Sequence, residues 1–242
     1  VAVQEVGPCS FEGVDFAFFS AGAARSKEWA PVALESGATV IDNSSAFRME
    51  PRVPLVVPEI NSHVLSAGSS LVSVPNCSAI ILLMAVAPLR RLGKIERLVV
   101  STYQSASGGG ASLMRRLVDE TRLALEAIES GQGISAESSG AEPYAFNLFS
   151  HNSPVDSSGY NEEELKVVEE SRKILEMPDL RINVTCVRVP VLRAHSEAIT
   201  VEFGSVSRFE GGGGAESLEC AARRILSAAP GVRVVDEREG NR

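Results

Sequence analysis

The sequence predicts an α/β front portion followed by an α+β back portion. Three observations carry this. Strand-like and helix-like segments alternate through the first third of the chain. The early strands are nearly unbroken apolar runs. The late strands alternate apolar and polar residues. Strand–helix alternation implies a parallel sheet with right-handed crossovers. Unbroken apolar strands are buried on both faces, whereas alternating ones have one face covered, as expected of an antiparallel sheet.

The elements follow in order. The run 14-VDFAFFS-20 has strand length and ends in Ser20-Ala21-Gly22. A helix follows to about Glu35, Gly37 closes it, and 38-ATVIDN-43 is the next strand. The runs 71-LVSVPN-76 and 95-IERLVVSTYQS-105 continue the pattern, with an apolar helix starting at Cys77 between them. From Gly108 to Gly131 the spacing predicts an amphipathic helix, with Leu113, Leu117, Ala124, Leu125 and Ile128 on its apolar face. The polar stretch 131-GQGISAESSGAEP-143 reads as a linker or loop. A helix over about Asn161–Glu176, two long strands at 181–191 and 196–206, and a last helix over about 215–228 complete the chain. The Gly211–Gly214 run reads as a loop, and no internal repeat occurs.

Composition bounds the function. The 242 residues suit one large domain or two smaller ones. With 44% hydrophobic and 22% charged residues the chain can bury a core. A formal charge of -8 argues against a nucleic-acid footprint, which needs a basic patch. The longest apolar run, Ala79 to Ala87, is too short for a bilayer span, which takes roughly 20 residues. No secretory signal opens the sequence. Cys9, Cys77, Cys186 and Cys220 are far apart with no CxxC pair, so neither a zinc site nor a disulfide framework is indicated, and a reducing compartment fits.

Several residues bear chemistry, each with a plainer alternative. Cys77 stands at the first turn of a helix. It is either a small apolar filler or a thiolate favoured by the helix dipole and unpaired amides. Pro75 fixes the turn before it, and Asn76 is polar where a filler needs no polar neighbour. Of the three histidines, His195 lies between two β segments, where it is either a general base or a structural residue. His63 carries no assigned role, and His151 reads as structural. Arg188 precedes His195 by seven residues, and a turn near Arg193-Ala194 lets both reach one place. Its guanidinium is either a bidentate carboxylate clamp or a surface charge. Gln104 ends a strand, where α/β sheets contact ligands. Ser107 to Gly110 either admit a ligand to backbone amides or form a flexible joint. Arg48 and Asn43 also follow a strand end, suited to an anion and a cofactor. Glu164 fits a capping box with Asn161, which competes with any functional role.

The ordered motifs together resemble aspartate-β-semialdehyde dehydrogenase. They are SAG at 20–22, DNSSAFRM at 42–49, VPNCS at 74–78, YQSASG at 103–108, EELK at 163–166 and CVRVPVLRAHSE at 186–197. The resemblance implies a Rossmann-like NADP-binding domain, incomplete here, at 1–76. It implies an α+β catalytic and dimerisation domain with a mixed or antiparallel sheet at 77–242, and a homodimer or homotetramer. By position it assigns Cys77 as nucleophile, His195 as acid/base and Gln104 as the group orienting the substrate carbonyl. Arg188 resembles the clamp on the substrate α-carboxylate, and Glu164 the partner of its amino group. Arg48, Lys166 and Asn76 resemble the phosphate-binding set. Ser20, Ala21, Gly22, Asn43, Ser107 and Gly108 resemble cofactor contacts. The family begins with a GxTGxVG-type phosphate loop and continues beyond 240-GNR-242, so this chain is expected to be an internal fragment.

The implied reaction is reversible NADPH-dependent reductive dephosphorylation of L-aspartyl-4-phosphate through a cysteine thioester, feeding lysine, threonine and methionine synthesis. The alternatives are an N-acetyl-γ-glutamyl-phosphate reductase type of enzyme or a non-catalytic homologue. Bacterial cytoplasm and plastid stroma are the implied locations.

Overall fold

The computed structural model describes residues 3–131, 143–151, 153–206, 210–211 and 214–235. The expected linker at 132–142, the tip of the Gly211–Gly214 loop at 212–213 and the terminal GNR lie outside the described residues. The chain forms two compact units. One is Val1–Ile95, Glu169–Leu180 and Phe203–Arg242. The other is Glu96–Val168 and Arg181–Glu202.

The first unit holds a three-stranded parallel sheet of β1 (Phe16–Phe19), β2 (Thr39–Asp42) and β3 (Leu71–Ser73), in that order. Helix α1 (Ala23–Glu35) crosses from β1 to β2, as the βαβ pattern requires. Ala17 and Val40 from the sheet pack with Ala30 and Ala33 of α1 and with Ala38. Phe11, Phe19, Leu34 and Phe47 close over them. The short helix α2 (Pro58–Asn61) precedes β3. Helix α3 (Cys77–Val86) is largely apolar, and most of it is buried or half-buried, with Cys77 and Ile81 exposed. Its Ala79, Leu82, Leu83 and Val86 are fully buried, and each large side chain contributes about 1.5–3 kcal/mol on leaving water.

The second unit is built on a four-stranded sheet. Its strands are β4 (Gly93–Gln104), β5 (Phe149–Ser150), β6 (Arg181–Arg188) and β7 (Ser196–Val206), in the order β5-β6-β4-β7. The sheet is mixed: β6 runs parallel to β4 and antiparallel to β5. The alternating pattern of β6 suggested an antiparallel setting; alternation reports that one face is covered and is silent on direction. The covered face is graded. Its rungs run Leu98–Ile182, Val100–Val184, Thr102–Cys186 and Gln104–Arg188, apolar at one end and polar at the carboxyl ends of the two parallel strands. The opposite face, with Tyr103, Thr185, Thr200 and Glu202, is exposed.

Helix α4 (Gly110–Glu129) follows a one-turn helix at Ala106–Gly109. Leu117 packs with Ala106 and Tyr144, supported by Leu113, Met114 and Phe149. Ala124 is buried too, but Leu125 and Ile128, expected on the same stripe, are exposed. Helix α5 (Glu162–Leu175) lies before β6, and the short strands β8 (Glu210–Gly211) and β9 (Gly214–Ala215) precede α6 (Leu218–Ser227). In the first unit Ala221 and Ile225 of α6 pack against Leu92.

Candidate active site

In the first unit, Cys77 is the first residue of α3 and is exposed. Asn76 is its N-cap. The Asn76 Oδ1 accepts from the Ser78 amide at 2.9 Å and the Ala79 amide at 3.3 Å, meeting two donors that the helix cannot satisfy itself. The cysteine therefore stands at the positive end of a helix dipole, in a turn held by its neighbour.

Arg48 is also in this unit and is buried. One guanidinium nitrogen donates to Glu170 Oε1 at 3.0 Å and another to the Asn43 carbonyl at 2.9 Å. The second oxygen of Glu170 accepts from the Asn76 amide. Asn43, at the end of β2, donates through Nδ2 to Ser20 Oγ at 3.2 Å. Ser20 to Gly22 form the turn from β1 into α1. Gly22 has φ 91°, a conformation that L side chains rarely adopt. Among the described residues no side chain caps α1. A cleft of about 620 Å³ opens along β1 beside Ser20 and Ala21. These features fit a dinucleotide: uncapped amides at a helix start, a glycine turn without a Cβ, and polar groups at the carboxyl ends of parallel strands.

The second unit gathers the other predicted residues at the polar end of its sheet. Gln104 is buried, and its Nε2 donates to Glu163 Oε1 at 3.1 Å. After Arg188 the chain runs on alongside Gln104–Ser107 in the same parallel sense as β6 and β4. Val189 donates to the Gln104 carbonyl, and Val191 and Leu192 accept from the Ala106 and Ser107 amides. The chain then turns back at Ala194, which takes φ 69°. His195 thereby returns to Ser105, whose amide donates to Nδ1 at 3.0 Å. Since Nδ1 accepts, the neutral ring carries its proton on Nε2. Burial lowers the His195 pKa, and the nearby Arg188 cation lowers it further, while Glu163 opposes. The imidazole is thus favoured neutral.

Arg188 is buried, with Nη1 donating to the Ser105 carbonyl at 3.1 Å and Nη2 to His151 Nε2 at 2.8 Å. Both acceptors are neutral groups, and among the described residues no carboxylate pairs with the guanidinium. A Cβ on Gly108 would lie 3.1 Å from both Arg188 Nη1 and the His195 ring. Glycine there lets backbone, arginine and imidazole converge.

Three residues were not singled out from the sequence. Glu163 faces Gln104, His151 orients Arg188, and Glu170 joins Arg48 to Asn76. Glu164 forms the expected capping box: its Oε2 accepts from the Asn161 amide, and Asn161 Oδ1 accepts from the Glu164 amide, each at 2.9 Å. Its other oxygen accepts from the Cys186 amide at 2.9 Å. Lys166 pairs with Glu162 at 2.9 Å, one turn earlier on α5.

The family model for the semialdehyde dehydrogenase NAD-binding domain matches residues 1–67, and that for the semialdehyde dehydrogenase dimerisation domain matches 86–242. An aspartate-semialdehyde dehydrogenase from Synechocystis is 45% identical over 99% of this chain, and one from Prochlorococcus marinus is 44% identical over 100%. The chain spans 66% of the length of each. The crystal structure of aspartate semialdehyde dehydrogenase II complexed with ASA, from Vibrio cholerae, is 34% identical, with a TM-score of 0.77. The match covers 90% of this chain and 61% of that one. With matches to both domain models and these relatives, the chain belongs to the semialdehyde dehydrogenase family.

Proposed function

We propose that the complete protein carries out NADPH-dependent reductive dephosphorylation of L-aspartyl-4-phosphate to L-aspartate-4-semialdehyde. The product would enter lysine, threonine and methionine synthesis. Residues 1–76 belong to the nucleotide-binding portion in this reading, and 77–242 to the catalytic and dimerisation portion. The observation that carries the chemistry is Cys77, exposed at the first position of α3 beneath the Asn76 cap. A helix start stabilises a thiolate.

The Cys77 thiolate attacks the acyl carbon. A carbon–sulfur bond forms, the carbon–oxygen bond to phosphate breaks, and phosphate leaves. Arg48, Lys166 and Asn76 are assigned to the phosphate. When bound at Ser20–Gly22, Asn43, Ser107 and Gly108, the nicotinamide nucleotide supplies the hydride for the thioester carbon. His195 donates a hydrogen bond from its Nε2–H to the resulting oxyanion and steadies its charge. The oxyanion re-forms the carbonyl as the carbon–sulfur bond breaks, which returns the thiolate and frees the aldehyde. The neutral ring with its Nδ1 occupied by the Ser105 amide supports this donor role.

Gln104 orients the substrate carbonyl, and Arg188 takes the α-carboxylate. We assign the substrate amino group to Glu163 in place of Glu164, because both Glu164 oxygens already accept backbone amides. The ASA complex of the Vibrio cholerae relative supports a small substrate of this kind. The exposed sheet face of the second unit, within the segment that matches the dimerisation model, is assigned to a second copy of the chain.

The test is capture of the thioester. The complete protein is mixed with semialdehyde and NADP, without phosphate, and digested for mass analysis. The peptide bearing Cys77 is expected to gain one aspartyl group. An unmodified Cys77 beside a modified residue elsewhere would remove it as nucleophile.

A further inference from the structure

Glu170 and Lys173 lie one turn apart on α5, so they share a helix face. Neither is assigned above to substrate or cofactor. Glu170 is 1% exposed. Its two oxygens serve two separate segments: Oε1 takes the Arg48 guanidinium at 3.0 Å, and Oε2 takes the amide of Asn76. Lys173 directs its ammonium at three backbone carbonyls, those of Arg48 at 2.7 Å, Glu50 at 2.8 Å and Val53 at 3.0 Å. An ammonium has three donors, and these bonds use all three. The loop carrying Arg48 is therefore tied through its backbone by Lys173 and through its side chain by Glu170. Asn76, which Glu170 also holds, caps the helix that Cys77 begins.

We propose that Glu170 is a positioning residue, fixing the Arg48 guanidinium and the Asn76–Cys77 turn in one geometry, with Lys173 locking the loop behind Arg48. The proposal rests on the reading of Arg48 as a phosphate ligand and Cys77 as the nucleophile. A buried ion pair is a weak device for stability alone, since well-packed apolar residues often serve as well. It does fix direction. Glu170 points one edge of the guanidinium, and the Asn43 carbonyl points another. Reducing the carboxylate to a methyl leaves Arg48 with one side-chain anchor and the Asn76 amide without this acceptor. Glutamine keeps an acceptor for the amide but loses the charge that holds Arg48.

The test uses the complete natural protein carrying Glu170→Ala or Glu170→Gln, with the exposed Glu169→Gln as control. Phosphate is varied at saturating semialdehyde and NADP. The KM for phosphate is expected to rise about tenfold in Glu170→Ala and by less in Glu170→Gln, with the KM for semialdehyde little changed. Iodoacetamide alkylation of Cys77 is expected to quicken about threefold or more in both, because a negative charge beside the helix start is gone. If the alanine variant does not fold, the glutamine variant carries the test. A phosphate KM that is unchanged or lower in a folded variant overturns the proposal. A lowered melting temperature with unaltered KM and alkylation overturns it as well. If the unsubstituted protein shows no phosphate-dependent turnover, the functional reading fails instead. Alkylation then judges Glu170 by itself, and an unchanged rate sinks it.

Discussion

Both carboxylate oxygens of Glu197 are buried without a hydrogen-bond partner among the described residues. Burial pushes its pKa up to about 8, from an ordinary 4.5. Between those values the folded chain keeps a proton that the unfolded chain releases. The stability this group contributes is therefore full below about pH 4.5 and is lost as pH rises towards 8. His151 and His195 act in the opposite sense. Their lowered pKa values, due first to burial, make stability fall as pH drops below about 6.5. Glu197→Gln removes only the first effect. Melting curves of variant and parent should coincide near pH 5 and separate towards pH 8, with the variant higher by a few degrees, on the order of 1 kcal/mol. Parallel curves across that range would show that Glu197 does not titrate as described. The carboxyl also sits near the Cys186 thiol, which burial pushes up to about 12. That cysteine is a protonated core residue, whereas Cys77 is exposed at a helix start.

Along α5, three consecutive glutamates take three tasks because each residue turns the helix by about 100°. Glu162 pairs with Lys166, Glu163 with Gln104, and Glu164 with the amides of Asn161 and Cys186. The capping box was legible in the sequence because both its members are three residues apart. The Gln104–Glu163 bond was not, because its partners are separated by 59 residues and depend on helix phase. Paired substitutions separate the two roles. Glu163→Gln should raise the KM for semialdehyde about tenfold or more, near 1.4 kcal/mol, with little change in melting temperature. Glu164→Gln should lower stability by about 1 kcal/mol and leave that KM close to the parent value. The reverse pattern would return the amino group to Glu164. The same contrast holds at α3, where the Asn76–Cys77 turn is a local signal, whereas the Glu170 carboxylate behind it lies 94 residues away.

In the molecule as a whole, the parallel front sheet and its crossover helix were legible because βαβ packing writes itself as apolar runs between turns. The direction of β6 was not, since pairing is a long-range choice among strands of similar pattern. Leu125 and Ile128 were expected to be buried and are exposed, because periodicity marks a stripe and packing decides how much of it is covered. No described helix is long and apolar enough to cross a membrane. Within the second unit, Arg188 and His195 meet only because the backbone reverses at Ala194, which spacing allowed but did not require. In the proposed reaction the chemistry runs through Cys77. The decisive assay is phosphate-dependent NADP reduction by the complete natural protein, given aspartate semialdehyde, beside its Cys77→Ala variant. Turnover is expected in the first and none in the second, with both folded. Turnover retained in the variant would contradict the nucleophile. A folded parent that binds NADP but does not turn over would contradict the substrate.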